Sequence, residues 1–316
     1  MEGENIPWTE KYRPSHPDMV LSHKLIKNSV RLFFESKKLP NLLFVGSAGT
    51  GKTTLITAHA KQFYKEKYSN MVLSINASED RGINIIRGKI QSFAMSGNEN
   101  IFKLIILDEF DSMTDEAQYV LSSVMDKYNK NVRFCLLCNF LKKINKCVQS
   151  RCVVYKFNPI SYDYLLYVGF QIIHSQKIKT TLKSLKLIIS YSNGDMRKLI
   201  NTLQSVQLNN TCTLKETSSL LIMPTKHKIL KLLNFYKSHS LIESIKYTKY
   251  LVEIYDYSLN EIIKQFYNIY VESIIMNNDV KKGMVIIRKL GEINEQLFYC
   301  NSENIQLYGL VSIFFI

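Results

Sequence analysis

Two short runs in this sequence carry groups suited to phosphate chemistry. Gly46-Ser47-Ala48-Gly49-Thr50-Gly51-Lys52-Thr53 fits the pattern G-x-x-x-x-G-K-[ST]. Its glycines permit a tight turn whose backbone N–H groups face inward, a geometry that suits phosphate oxygens. Lys52 is expected to bridge the β- and γ-phosphates of a nucleoside triphosphate, and Thr53 to hold Mg2+. The second run, Asp108-Glu109, closes the apolar stretch Leu104-Ile105-Ile106-Leu107. Asp108 is expected to hold Mg2+ directly or through water. Glu109 suits a general base that polarises the attacking water.

These groups need elements that bring them together. Leu42-Leu43-Phe44-Val45 reads as a buried strand leading into the glycine-rich loop, and Thr54 to Lys67 as the helix that follows. The start of that helix, at Thr54, adds partial positive charge for an anion. The strand ending at Asp108 is expected beside the first, with its C-terminal end near the phosphates. Met71–Asn76, Val132–Cys138 and Val153–Phe157 read as further strands. Ser22–Ser36, Ile83–Met95 and Thr114–Tyr128 read as helices, the last capped by Thr114. Asn139, at the end of the Val132–Cys138 strand, is placed to hydrogen-bond the γ-phosphate or the water. The alternation predicts an α/β domain with a mostly parallel sheet.

From Ser161 onward the pattern turns helical. Tyr162–Gln176 and Leu182–Ser190 precede the turn Asn193-Gly194-Asp195, which is expected to cap a helix from Met196 to Gln204. Arg197, in its first turn, could reach back to the γ-phosphate. After Pro224 the chain reads as helix throughout, with Leu259, Ile262, Ile263, Phe266, Tyr270 and Ile274 close to helical spacing. The division expected is an ATPase-like α/β domain over 1–160, a small helical lid over 161–224 and an all-helical packing or oligomerisation module over 225–316. Ile6-Pro7-Trp8-Thr9-Glu10-Lys11-Tyr12-Arg13-Pro14, with two prolines and the only Trp, reads as an extended, non-helical arm. It could drape over a nucleotide base or simply pack.

The net charge is +14, and residues 225–316 hold 11 basic and 9 acidic side chains, so +12 falls in residues 1–224. A nucleotide needs few of those charges, so a second polyanionic partner, nucleic acid first, is expected. Arg81, Arg87 and Lys89 are candidates for backbone phosphate contacts or for plain solvated charge. The N-terminal residues lack an apolar signal core, and no apolar stretch reaches the ~20 residues that span a bilayer. An intracellular chain without a membrane partner is therefore expected, its six cysteines reduced. Cys135, Cys138, Cys147 and Cys152 invite a zinc reading. Cys135 and Cys138, however, sit at an odd offset in one strand and should point to opposite faces, which favours small core residues.

Taken together the motifs resemble a small subunit of replication factor C, the sliding-clamp loader, within the AAA+ ATPases. The likeness is dense over residues 6 to about 206 and rests on pattern alone beyond. Pro7–Pro14 is similar to the family's P-W-V-E-K-Y-R-P box, Gly46–Thr53 to its Walker A loop and Asp108-Glu109 to its Walker B position. Asn139 corresponds to sensor 1, Ser150-Arg151-Cys152 to the S-R-C motif, and Gly194-Asp195-Met196-Arg197 to the G-D-M-R of sensor 2.

The resemblance implies ATP and Mg2+ as ligands, with Tyr12, Arg13 and Pro14 beside the nucleotide. It implies a catalytic set of Lys52, Glu109, Asn139 and Arg197. Arg151 would act in trans, on the ATP of a neighbouring subunit. It further implies a hetero-pentameric ring of replication factor C subunits, a sliding clamp and primer–template DNA as partners. Arg81, Arg87 and Lys89 fall in the DNA-tracking region, and Ile90, Phe93 and Ala94 where family members touch the clamp. Residues from about 225 correspond to the collar, and nuclear placement follows for a eukaryotic or nuclear-replicating viral source.

Some positions depart from the family pattern. Phe110 replaces Ala after Asp108-Glu109, Ser47-Ala48 replaces Pro-Pro, and Ser122-Ser123 replaces two arginines. Cys147 stands where Pro is usual. None is an expected ATP contact whose chemistry is lost. A non-hydrolysing scaffold and a branch-migration motor are the alternative readings. Glu109 with Arg197 disfavours the first, and the S-R-C motif and N-terminal box disfavour the second.

Overall fold

The computed structural model describes residues 6–20, 22–79, 84, 86–95, 101–209, 213–275, 280–297, 299 and 302–315. The chain divides into two compact units, Met1–Asn210 and Thr211–Ile316. In the first, helices α1 (Trp8–Lys11) and α2 (Lys24–Glu35) precede strand β1 (Leu42–Gly46) and helix α3 (Lys52–Tyr64). The short α4 (Tyr68–Met71) leads into β2 (Val72–Asn76). A π-helical turn, Ile86–Ile90, runs into α5 (Gln91–Met95) and then β3 (Lys103–Asp108). Helix α6 (Asp115–Lys127), β4 (Val132–Cys138), α7 (Lys146–Gln149) and β5 (Val153–Phe157) complete the α/β part. Helices α8 (Tyr162–Gln176), α9 (Leu182–Ser192) and α10 (Met196–Leu208) close the unit.

The five strands form one parallel sheet in the order β2-β3-β4-β1-β5. The central strands are buried on both faces, which is why they read as unbroken apolar runs rather than alternating ones. Leu43, Ile105, Leu107 and Leu136 face a core shared with Leu121 and Val124 of α6. Leu42, Phe44, Ile106 and Leu137 face a second core with Val30 and Phe34 of α2 and Leu55 and Ile56 of α3. Cys135 lies in the second core and Cys138 in the first, on opposite sheet faces as their odd offset requires. Among the described residues no group of three or more His, Cys, Asp or Glu could hold a metal.

The N-terminal arm departs from expectation. Trp8–Lys11 is a helical turn: the Glu10 and Lys11 amides donate to the Pro7 carbonyl and the Tyr12 amide to that of Trp8. Pro7 sits at the helix N-cap with φ −53°, so its ring starts the turn instead of blocking it. Thr114 accepts from the Ala117 amide and Asp195 from the Lys198 amide, so both caps stand where the sequence places them.

Buried Gln118 of α6 ties the elements beside the sheet together. Its Nε2 donates to the carbonyls of Met113 and Lys143, and its Oε1 accepts from the Asn145 amide. Helix α6 and the segment leading into α7 are thereby held by an internal side chain with both polar atoms satisfied.

The second unit is entirely helical among its described residues: α11 (Leu214–Leu220), α12 (Lys226–Ser238), α13 (Leu241–Tyr255), α14 (Leu259–Ile275), α15 (Val280–Gln296) and α16 (Glu303–Ser312). Its core joins Ile229, Leu232 and Tyr236 of α12 to Ile262, Ile263 and Phe266 of α14 and Leu307, Leu310 and Val311 of α16. Capping boxes at Thr213 and Ser240 start α11 and α13. None of the described helices is long and apolar enough to cross a membrane.

Candidate active site

The glycine-rich loop joins the C-terminal end of β1 to the N-terminus of α3, with Gly49 at φ +67° and Gly51 at φ +91°. Lys52, the first residue of α3, folds back over the loop. Its Nζ donates to the carbonyls of Gly46 at 2.7 Å and Ser47 at 2.9 Å, and to Asn139 Oδ1 at 3.1 Å. Burial lowers its pKa, and the nearby Asp108 carboxylate partly offsets this. A buried ammonium held by three neutral oxygens is a site that gains from an anion.

Strand β3 delivers the acidic pair. Asn76 of β2 is level with Asp108 in the parallel register, and Thr53 Oγ1 donates to Asp108 Oδ2 at 2.8 Å. A hydroxyl and a carboxylate meeting beside the loop form an oxygen donor set suited to Mg2+. Glu109 lies just past the strand in left-handed backbone, φ 51°, and its amide donates to Asp108 Oδ1 at 2.9 Å. Asp108 and Glu109 line the same pocket.

Around the loop the pocket is lined by Arg13 and Pro14 of the arm, Asn139 after β4, Tyr164 of α8 and Arg197 of α10. The Met196 amide donates to the Gly49 carbonyl at 3.1 Å, so the start of α10 rests directly on the phosphate loop. Tyr12, which also lines the pocket, bonds Ser175 Oγ at 2.8 Å and accepts from Gln176 Nε2. Its hydroxyl fastens the arm to the end of α8, while Trp8 packs edge-on against its ring.

Asp111 is a contributor that motif reading passed over. Its Oδ2 accepts from the backbone amides of Asn139 at 3.3 Å and Phe140 at 3.2 Å. It thereby holds the turn that aims Asn139 at Lys52. The available signal was a third acid three residues after Asp108.

Other expected residues lie elsewhere. Arg151 follows α7 and is not among the pocket-lining residues. Arg81 lies outside the described residues, as does the side chain of Arg87. Lys89 is exposed. Ile90 and Ala94, expected at a partner contact, are both buried within this chain. Ile90 is 0% and Ala94 7% exposed, both in the core beneath α6, because the sheet needs their apolar surface. Phe93 is half-buried against the same core, and Met95 beside it is exposed.

A phosphate loop on β1, acids at the end of the adjacent-but-one strand and a helical lid against the loop define a P-loop ATPase of the AAA+ class. Residues 42–159 match the family of ATPases associated with various cellular activities, and residues 224–312 match the replication factor C C-terminal domain. The chain is 35% identical to human replication factor C subunit 5 over 98% of this chain and 92% of that protein. It is 33% identical to the replication factor C small subunit of Sulfolobus acidocaldarius, over 98% and 95% of the two chains. The chain belongs to the replication factor C small-subunit family of clamp loaders. Its fold is also similar to that of Thermotoga maritima RuvB, at TM-score 0.55 and 14% identity over 79% of this chain and 88% of that one.

Proposed function

We propose that this chain binds ATP with Mg2+ in the pocket around Lys52 and hydrolyses it as one member of a hetero-pentameric ring. That ring opens a sliding clamp and loads it onto primer–template DNA. The observation carrying this reading is the convergence of Lys52, Asn139, Thr53 and Asp108 through direct hydrogen bonds. Lys52 exchanges its carbonyl contacts for β- and γ-phosphate oxygens. Thr53 and Asp108 would hold Mg2+, which supplies charge neutralisation across the phosphates. Glu109 orients and deprotonates the attacking water, with Asn139 fixing the water or γ-phosphate. Arg197, on the helix that rests on the loop, senses the same phosphate. Arg13 and Pro14 flank the base.

Arg151 serves the nucleotide of an adjacent subunit. Fingers of this kind are worth ~10³–10⁵ in rate, so turnover depends on assembly. In this reading residues 1–160 form the ATPase domain, 161–224 the lid and 225–316 the collar. Lys89, exposed on its turn, contacts the DNA backbone, a role that Arg81 and Arg87 share in this reading, and Phe93 contributes to the clamp contact. The working compartment is the nucleus in a eukaryotic or nuclear-replicating viral setting.

The test uses the assembled complex with clamp and primer–template DNA. Glu109→Gln should bind ATP normally and lose turnover at its own site. Arg151→Ala should bind ATP normally and lose turnover at the adjoining one. Loss of ATP binding by Arg151→Ala, with hydrolysis per bound nucleotide unchanged, would exclude the trans role.

A further inference from the structure

Arg151 is held by its own chain. Its Nε donates to Asp126 Oδ1 at 2.9 Å and its Nη2 to Asp126 Oδ2 at 2.7 Å, while Nη1 donates to the Cys147 carbonyl at 2.8 Å. The first two bonds make the side-on fork in which a guanidinium and a carboxylate fit best. Asp126 comes from the last turn of α6 and Cys147 from α7, so two elements grip one side chain. Gln118 in turn joins α6 to the segment before α7. Of the five N–H donors on a guanidinium, these contacts engage three. One N–H on each Nη remains to donate to an oxyanion.

Both side chains stay at the surface, Arg151 35% and Asp126 58% exposed. An exposed ion pair contributes little to stability, so folding alone gives weak reason for such complete geometry. Its physical effect is on order. A free surface arginine samples many rotamers, and the fork removes that freedom. We propose that Asp126 is the positioning residue of the Arg151 finger, holding the guanidinium so that its remaining donors are ready for the nucleotide of an adjacent subunit. The proposal rests on the reading of Arg151 as a trans finger, and it adds a residue that acts only through Arg151. The Arg151 finger is then oriented before subunits meet, and α6 links the turn after Asp108-Glu109 of this chain's site to the finger it offers to the next.

The test compares complexes carrying wild-type, Asp126→Ala, Asp126→Asn, Asp126→Glu and Arg151→Ala versions of this chain. Turnover is read at the site facing Arg151, with hydrolysis at the other sites silenced and assembly checked by gel filtration. Asp126→Ala and Asp126→Asn should each lower kcat by up to ~10²-fold with KM for ATP unchanged, since orientation and not binding is lost. Asp126→Glu should restore most of the rate, because a carboxylate can rebuild the fork. The double variant Asp126→Ala/Arg151→Ala should be no slower than Arg151→Ala alone. Wild-type turnover in Asp126→Ala overturns the proposal, and faster turnover overturns it in favour of a carboxylate that restrains the finger. If Arg151→Ala itself leaves turnover unchanged, the trans-finger reading falls as well. If only the Asp126 variants are silent, that reading stands and this proposal alone fails.

Discussion

Lys52 shows how single side chains are set in this site. Its ammonium is buried and bound to two loop carbonyls and Asn139, so it is held where a phosphate oxygen can replace those acceptors. Asn139 is in turn held by Asp111, which accepts from the amides of Asn139 and Phe140. Asp111→Ala should therefore retain ATP binding and lose up to ~10²-fold in kcat, the scale of a ~1 Å misplacement of a catalytic contact. Single-turnover hydrolysis alongside a binding titration checks this, and an unchanged rate would remove Asp111 from the site.

The thiols give a pH-dependent prediction. Burial pushes Cys138 up to about 12 and Cys135 well above the usual thiol value. Their neutral forms are favoured in the fold, so their contribution is complete below about pH 9 and is lost as pH rises toward 12. At pH 8 an alkylating reagent should leave both unmodified until the protein is unfolded. Melting between pH 8 and 10.5 should show stability falling. Modification of Cys138 in native protein at pH 8 would contradict the burial argument.

At the scale of elements, the contact between the phosphate loop and α10 matters most. Gly49 has φ +67°, and a Cβ added there would lie 1.6 Å from Asp195 Oδ1, the cap of α10. Gly49→Ala therefore strains the loop and displaces a cap at once. Together these should cost about 2 kcal/mol. The thermal midpoint of this unit should fall by about 4–8 °C, and ATP affinity should fall with it. An unchanged midpoint and affinity would mean that α10 does not brace the loop. The arm makes the complementary point. Two prolines alone argue against helix, yet Pro7 caps a helical turn because the N–H groups at a helix start have no partner within the helix.

For the whole molecule, two compact units divide the work. The phosphate loop, acids and lid helices all belong to the first unit, whereas the second has its own apolar core around Phe266. Phe266 is 0% exposed and packs against Tyr236 and Phe314 at 6.3 and 4.8 Å between ring centroids. Phe266→Ala should destabilise the second unit by about 3–5 kcal/mol, read by chemical denaturation. Nucleotide binding by the first unit should be unaffected. Loss of ATP binding in this variant would show that the two cores are energetically linked.

The sequence by itself determined which segments are strands and most of the site, but not the strand order: the strand ending at Asp108 reads as the neighbour of β1, and β4 lies between them. Doubly buried parallel strands demand unbroken apolar runs, and phosphate chemistry demands glycines, Lys52, Thr53, Asp108 and Glu109 at narrow spacings. Those requirements are local, so they are written in consecutive residues. Three features needed the tertiary structure. Asp111 holds Asn139 across 28 residues of chain, and Arg151 bonds Asp126 across 25. Ile90 and Ala94 lie in the core even though their helix reads as a candidate partner surface. Periodicity identifies an apolar face but not what covers it, and a carboxylate's partner is set by which strands and helices end side by side. Only the packed sheet, with α6 and α7 joined through Gln118, decides those pairings.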